Sequence, residues 1–109
     1  MREAEEAWIE KFIRHLTYER QLSELTAKNY ARDLRSIATY CDKISVDKWG
    51  NLDHEHVRSY SAACYRKGLS PRSIQRQLSA ARTFYRFLVR EKHVSTNPAQ
   101  SVSAPKAGT

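Results

Sequence analysis

The sequence predicts an all-α protein, a compact bundle of four main helices followed by a C-terminal linker. Three observations predict it. Apolar residues recur at spacings of three and four along four separate stretches, the mark of helices with one buried face. The stretches are punctuated by helix start and stop signals at Ser23, at Asp53 and at Gly68-Leu69-Ser70-Pro71. No alternating pair of segments joined by a tight turn, the signature of a β-hairpin, occurs anywhere. A chain of 109 residues reads as one domain, long enough to bury a modest core without disulfides or metals.

The first helix is expected from about Arg2 to Tyr18, with Trp8, Ile9, Phe12, Ile13 and Leu16 on one face. Glu3, Glu5 and Glu6 near its start, with Arg14 and Arg20 late in it, suit the helix dipole. Gln21 and Leu22 make a short break, and Ser23 caps a second helix from Glu24 to about Asp42. There Ala27, Tyr30, Leu34, Ile37, Ala38 and Cys41 face inward, and Lys28, Asn29, Arg32, Arg35 and Ser36 face outward, with Asp33 on the flank. Residues 43–52 are irregular, with a turn at Trp49-Gly50-Asn51, and Ile44, Val46, Trp49 and Leu52 fold back on the core. Asp53 caps a third helix to about Lys67, its inner side formed by Val57, Tyr60, Ser61 and Cys64 and its outer side mixed.

The fourth helix has the clearest signals. Gly68 suits the left-handed residue that closes the preceding helix, Ser70 is an N-cap, and Pro71 fits the first helical position. Ile74, Leu78, Ala81, Tyr85 and Leu88 form the inner stripe; Arg72, Arg76, Ser79, Thr83 and Arg90 lie opposite, with Gln75, Arg82 and Arg86 on one flank. Asn97-Pro98-Ala99 ends regular structure, so the domain spans residues 1–98 and residues 99–109 form a linker toward a further domain.

Charge narrows the function. The formal net charge is +7. Residues 1–24 carry four basic and six acidic side chains, leaving fifteen against six in residues 25–109. A solvated helix face ordinarily mixes signs, whereas the outward faces of the second and fourth helices carry Lys and Arg with few acids, which points to a polyanion. No apolar run approaches the ~20 residues that cross a bilayer, and none follows a basic start as a signal peptide does, so the expected location is the cytoplasm. Cys41 and Cys64 read as reduced core residues, and the four histidines form no ligand set, so no metal or cofactor is expected. Gly-rich phosphate loops, metal-binding motifs and a nucleophile with a base at recognisable spacing do not occur. The chain therefore binds, or supplies one part of a larger enzyme. A stop soon after a Pro-containing linker reads as a truncation. Two other readings stand beside nucleic-acid binding: a basic helical interaction module for an acidic protein or membrane surface, and a helix-turn-helix repressor, which fits less well because such units use shorter helices.

The segments Tyr18-Glu-Arg-Gln-Leu-Ser23, Thr26-Ala-Lys-Asn-Tyr30 with Asp33-Leu34, Gly68-Leu-Ser-Pro71, Leu78-Ser-Ala-Ala-Arg-Thr-Phe-Tyr-Arg-Phe-Leu88, Asn97-Pro-Ala99 and Val102-Ser-Ala-Pro-Lys106 follow one another in this order. Together they resemble the N-terminal core-binding domain of the tyrosine recombinases, the integrase and Xer group, over nearly the whole chain. The resemblance implies a SAM-like four-helix bundle that forms half of a clamp around a DNA recombination site. It also implies that the second and fourth helices cross near the major groove, and that a separate C-terminal domain holds the catalytic arginines, Lys, His and Tyr. None of those catalytic positions exists in this chain, so no catalytic residue is carried over and the fragment alone should be inactive. In the Xer branch it further implies chromosome dimer resolution with a XerD-like partner in a tetramer on DNA; a phage or plasmid integrase would have a different target site. The isolated fragment is expected to be monomeric.

The two faces and the resemblance together nominate Lys28, Asn29, Arg32 and Arg35 from the second helix. From the fourth they nominate Ser70, Arg72, Ser73, Gln75, Arg76, Ser79 and Arg82, with Lys106 following the DNA backbone at the start of the linker. Ser70, Ser73 and the first-turn N–H groups would hold a phosphate. Arg72, Gln75 and Arg76 have the reach and donors to read base edges.

Overall fold

The structure, a computed structural model, describes residues 1–104. The described residues are helical, without strands: α1 (Glu3–Arg14) runs into a π-helical turn (His15–Glu19), followed by α2 (Glu24–Lys43), a 3-10 turn (Trp49–Asn51), α3 (His54–Arg66) and α4 (Pro71–Arg90). They fall into two compact units, Met1–Asn51 and the part that begins at Leu52.

In the first unit the apolar stripe of α1 is buried through Ile9, Phe12 and Leu16, and that of α2 through Ala27, Leu34, Ile37, Ala38 and Cys41. Phe12 meets Tyr30 edge-on, with ring centroids 5.6 Å apart. Ser23 caps α2 as expected, its hydroxyl accepting from the Thr26 N–H at 3.1 Å. The first helix departs from the expectation of a regular run to Tyr18. Its last turn widens: the Arg20 N–H reaches back five residues to the His15 carbonyl, and the Leu22 N–H reaches the Leu16 carbonyl. Gln21, at φ 55°, takes the left-handed position that turns the chain into α2.

Residues 44–51 fold back as expected, and the means is a buried carboxylate. Glu5, one of the three acids that suit the start of the first helix, is only 8% exposed. One of its carboxylate oxygens accepts from the Trp49 backbone N–H at 2.9 Å, and its carbonyl accepts from the Trp49 indole N–H at 2.8 Å. Trp49 itself is fully buried. Arg2 adds an outer tie, donating through Nε to the Asp47 carboxylate at 2.9 Å and through its backbone N–H to the Asp47 carbonyl.

In the second unit Asp53 and His56 form a reciprocal capping box at the start of α3: each accepts the other's backbone N–H, at 2.8 and 3.0 Å. The junction to α4 is a Schellman turn. The Leu69 N–H bonds the Cys64 carbonyl and the Gly68 N–H bonds the Tyr65 carbonyl, with Gly68 at φ +93°. Ser70 then caps α4 by accepting from the Ser73 N–H at 3.1 Å, with Pro71 at the first helical position.

The five stripe residues expected in α4 (Ile74, Leu78, Ala81, Tyr85 and Leu88) are all buried, and Gln77, Ala80, Phe84 and Phe87 join them. The buried arc is therefore wider than a single stripe, and Gln77 is satisfied within it by the Tyr60 hydroxyl, which donates to its carboxamide oxygen. The segment after α4 is also packed. Pro98, Ala99 and Val102 are buried, so the segment expected to act as a linker from residue 99 begins inside folded structure.

Candidate nucleic-acid interface

The two units divide the charge unequally. Residues 1–51 hold nine basic and nine acidic side chains, whereas residues 52–109 hold ten basic and three. The whole net charge of +7 therefore belongs to the second unit. Within it α4 carries five arginines (Arg72, Arg76, Arg82, Arg86 and Arg90) and no acid.

On α4, Arg72, Gln75, Arg76 and Ser79 are exposed and succeed one another at i, i+3, i+4 and i+7, which aligns them along one face. The side chains of Arg72 and Gln75 have no partner among the described residues. Ser70 is exposed and Ser73 half-buried at the head of the same helix. The phosphate cradle expected there is smaller than four free N–H groups would make. Pro71 has no N–H, the Ser73 N–H is taken by Ser70 Oγ, and the Ile74 N–H bonds the Ser70 carbonyl. The Arg72 N–H remains, with its own guanidinium on the same residue.

On α2, Lys28, Arg32 and Arg35 are exposed and Asn29 is half-buried. This face is less bare of acids than the sequence suggested. Lys28 Nζ lies 3.7 Å from Glu24, Arg32 Nε 3.6 Å from Asp33, and Arg35 donates to Glu10 at 2.7 Å. Asp33, expected on the flank, is only 3% exposed, so Arg32 stands beside a buried carboxylate. Exposed pairs such as Lys28–Glu24 and Arg35–Glu10 contribute about 0–1 kcal/mol, weak enough for a phosphate to compete with the carboxylate. The electrostatic case for α2 is thus secondary to that for α4.

Arg82, also nominated for this surface, is half-buried and bonded within the chain. Its Nε donates to the Ala99 carbonyl at 3.1 Å, its Nη2 to the Val102 carbonyl at 2.6 Å and its Nη1 to Ser79 Oγ at 3.3 Å. The guanidinium is occupied by the chain's own backbone, which is why the side chain is half-buried. Lys106, the remaining candidate, lies outside the described residues. One group was not anticipated: Tyr65, Arg66 and Lys67, all exposed at the end of α3 and immediately ahead of the Gly68 turn. A tyrosine followed by two basic residues was its only sequence signal, an aromatic and two cations on a helix whose outer side read as mixed.

Among the described residues, no cluster of three or more His, Cys, Asp and Glu is placed to hold a metal ion. Both cysteines are unpaired and buried, and burial pushes the Cys41 thiol up to about 11, so it stays protonated at neutral pH. Among the described residues no helix is long and apolar enough to cross a membrane.

Residues 9–92 match the family model described as "Phage integrase, N-terminal SAM-like domain". The chain is 42% identical over 98 residues to a protein named tyrosine recombinase XerC from Pseudomonas syringae pv. syringae (strain B728a), an alignment covering 90% of this chain and 33% of that protein. It is 41% identical over 99 residues to tyrosine recombinase XerC of Salmonella typhi, and 39% identical over 99 residues to that of Escherichia coli O9:H4 (strain HS), each alignment covering 91% of this chain and 33% of the relative. The chain thus spans about a third of the length of the curated relatives it matches. No solved structure matches. A family model covering most of the chain, with an all-helical fold to match, shows that this chain belongs to the family of phage integrase N-terminal SAM-like domains.

Proposed function

We propose that this chain is the DNA-gripping part of a XerC-like tyrosine recombinase, holding a duplex recombination site while strand cleavage is carried out by residues it does not contain. The observation that carries the proposal is the acid-free, five-arginine helix α4 in a unit that holds the whole net charge. Arg72, Gln75 and Arg76 are the base readers: an arginine fork matches the O6 and N7 of guanine, and a glutamine carboxamide matches the N6 and N7 of adenine. Ser70, Ser73 and Ser79 bond phosphate oxygens beside them, and Tyr65, Arg66 and Lys67 extend the cationic surface ahead of α4. From α2, Lys28, Asn29, Arg32 and Arg35 make backbone contacts that position the protein without specifying sequence. In the full recombinase this grip serves site-specific strand exchange, such as chromosome dimer resolution with a XerD-like partner in a tetramer on DNA, in the cytoplasm.

The test is the double substitution Arg72→Ala/Arg76→Ala, with duplex binding followed by fluorescence anisotropy across a salt series. Losing two phosphate or base cations should weaken binding at least ~10-fold and flatten the slope of log K against log[salt] by about 2. Unchanged affinity and slope at moderate salt would remove α4 from the interface. Equal loss on every polyanion, including a non-nucleic one, would favour a general acidic-surface module instead.

A further inference from the structure

We infer that Arg82 is a positioning residue that clasps the segment after α4 onto the helix and so fixes the point from which the following chain departs. Three observations in the second unit converge on it. The guanidinium spans two carbonyls of the exit segment, Ala99 at 3.1 Å and Val102 at 2.6 Å, using the fork geometry that arginine supplies and lysine does not. The bond is returned: the Asn97 carboxamide donates to the Arg82 carbonyl at 3.2 Å while its oxygen accepts from the Ala99 N–H at 3.1 Å. The exit segment is consequently folded, with Pro98, Ala99 and Val102 buried and the Val102 N–H bonded to the Ala99 carbonyl.

Two backbone carbonyls drawn to one cation cannot be satisfied by solvent with the same fixed geometry. Residues 97–102 are therefore held in register with α4, the helix that carries Arg72, Gln75 and Arg76. The same segment runs on past α3, where Ser101 and Ser103 face His54, Arg58 and Ser61 across a groove. The segment that leaves α4 is thereby tied to the orientation of that helix. The role is distinct from binding a duplex: three of the five guanidinium N–H groups are engaged within the chain, two of them by the carbonyls of residues 99 and 102. The clasp stands whether or not α4 binds DNA.

The test uses Arg82→Lys, Arg82→Ala and Asn97→Ala in the 109-residue chain, with backbone amide hydrogen exchange and affinity for a mixed-sequence DNA duplex as readouts. Arg82→Lys keeps the charge and the aliphatic stem but loses the fork, which guards against a variant that merely fails to fold; far-ultraviolet circular dichroism checks the helices. The clasp predicts that the Ala99 and Val102 amides exchange at least ~10-fold faster in all three variants while amides of α4 stay protected. It also predicts that Arg82→Lys binds the duplex within about twofold of the parent, with the same salt slope. Unchanged protection at Ala99 and Val102 in both Arg82 variants would overturn the inference. So would a loss of duplex affinity in Arg82→Lys as large as that caused by Arg72→Ala.

Discussion

The burial of Glu5 makes a prediction whose size follows from its contacts. The carboxylate is 8% exposed and accepts the backbone N–H of Trp49, a residue with no exposed surface, at 2.9 Å. Glu5→Ala removes the acceptor and leaves that N–H buried and unmatched. A hydrogen bond to a charged group contributes about 1.5–3 kcal/mol, and the stranded donor adds its own desolvation cost, so a loss of about 2–3 kcal/mol is expected. Glu5→Gln retains an oxygen of the same shape at the same place and should lose about 1 kcal/mol or less, the difference between a charged and a neutral acceptor. Urea unfolding monitored by tryptophan fluorescence reads both. With a slope of about 1–3 kcal/mol per molar, Glu5→Ala should lower the midpoint by about 1 M or more, and Glu5→Gln by a fraction of that. Equal midpoints for the two variants would refute the reasoning, because the acceptor oxygen would then be irrelevant and Glu5 would act only through its charge near the helix start.

Two further outcomes follow from the backbone and the titratable groups. Gly68 sits at φ +93° with open space where a Cβ would go, so Gly68→Ala should cost about 1–2 kcal/mol through backbone strain alone, read by thermal unfolding, with the α4 surface unaltered. Burial tends to raise the Asp47 carboxyl, but the Arg2 guanidinium and the hydrogen bonds it receives outweigh that and hold it below its ordinary 3.8. A carboxyl depressed in the folded state gives stability that is complete above the ordinary value and is lost as pH falls through the lower, folded one. Arg2→Ala should return the Asp47 titration, followed by carboxyl NMR, toward the ordinary value and remove that part of the acid-side slope.

What was legible in the sequence was whatever neighbouring residues decide among themselves. Ser23, Asp53 and Gly68-Leu69-Ser70-Pro71 marked their helix ends because a cap is a contract between residues three or four apart. The inner stripe of α4 was legible because one helix face repeats every three or four residues. The illegible features depend on partners distant in the chain. Glu5 looked like an ordinary helix-start acid until Trp49, 44 residues on, came to rest against it. Spacing placed Arg82 on the flank of α4 but gave no sign of its partners, because Val102 returns to its guanidinium from 20 residues later. The acid beside Arg35 likewise comes from Glu10, on another helix. The π-helical turn at His15–Glu19 inserts a residue that a strict helical period does not register.

The central claim, that α4 grips DNA, is tested most directly by titrating a duplex into the isotopically labelled chain at low salt and following the backbone amide resonances. The largest shifts should fall on residues 65–79, at the end of α3 and along the Arg72–Gln75–Arg76–Ser79 face, with smaller ones on the Lys28–Arg35 face of α2. All should fade as salt rises. Shifts confined to α1, or none at any salt concentration, would contradict the account.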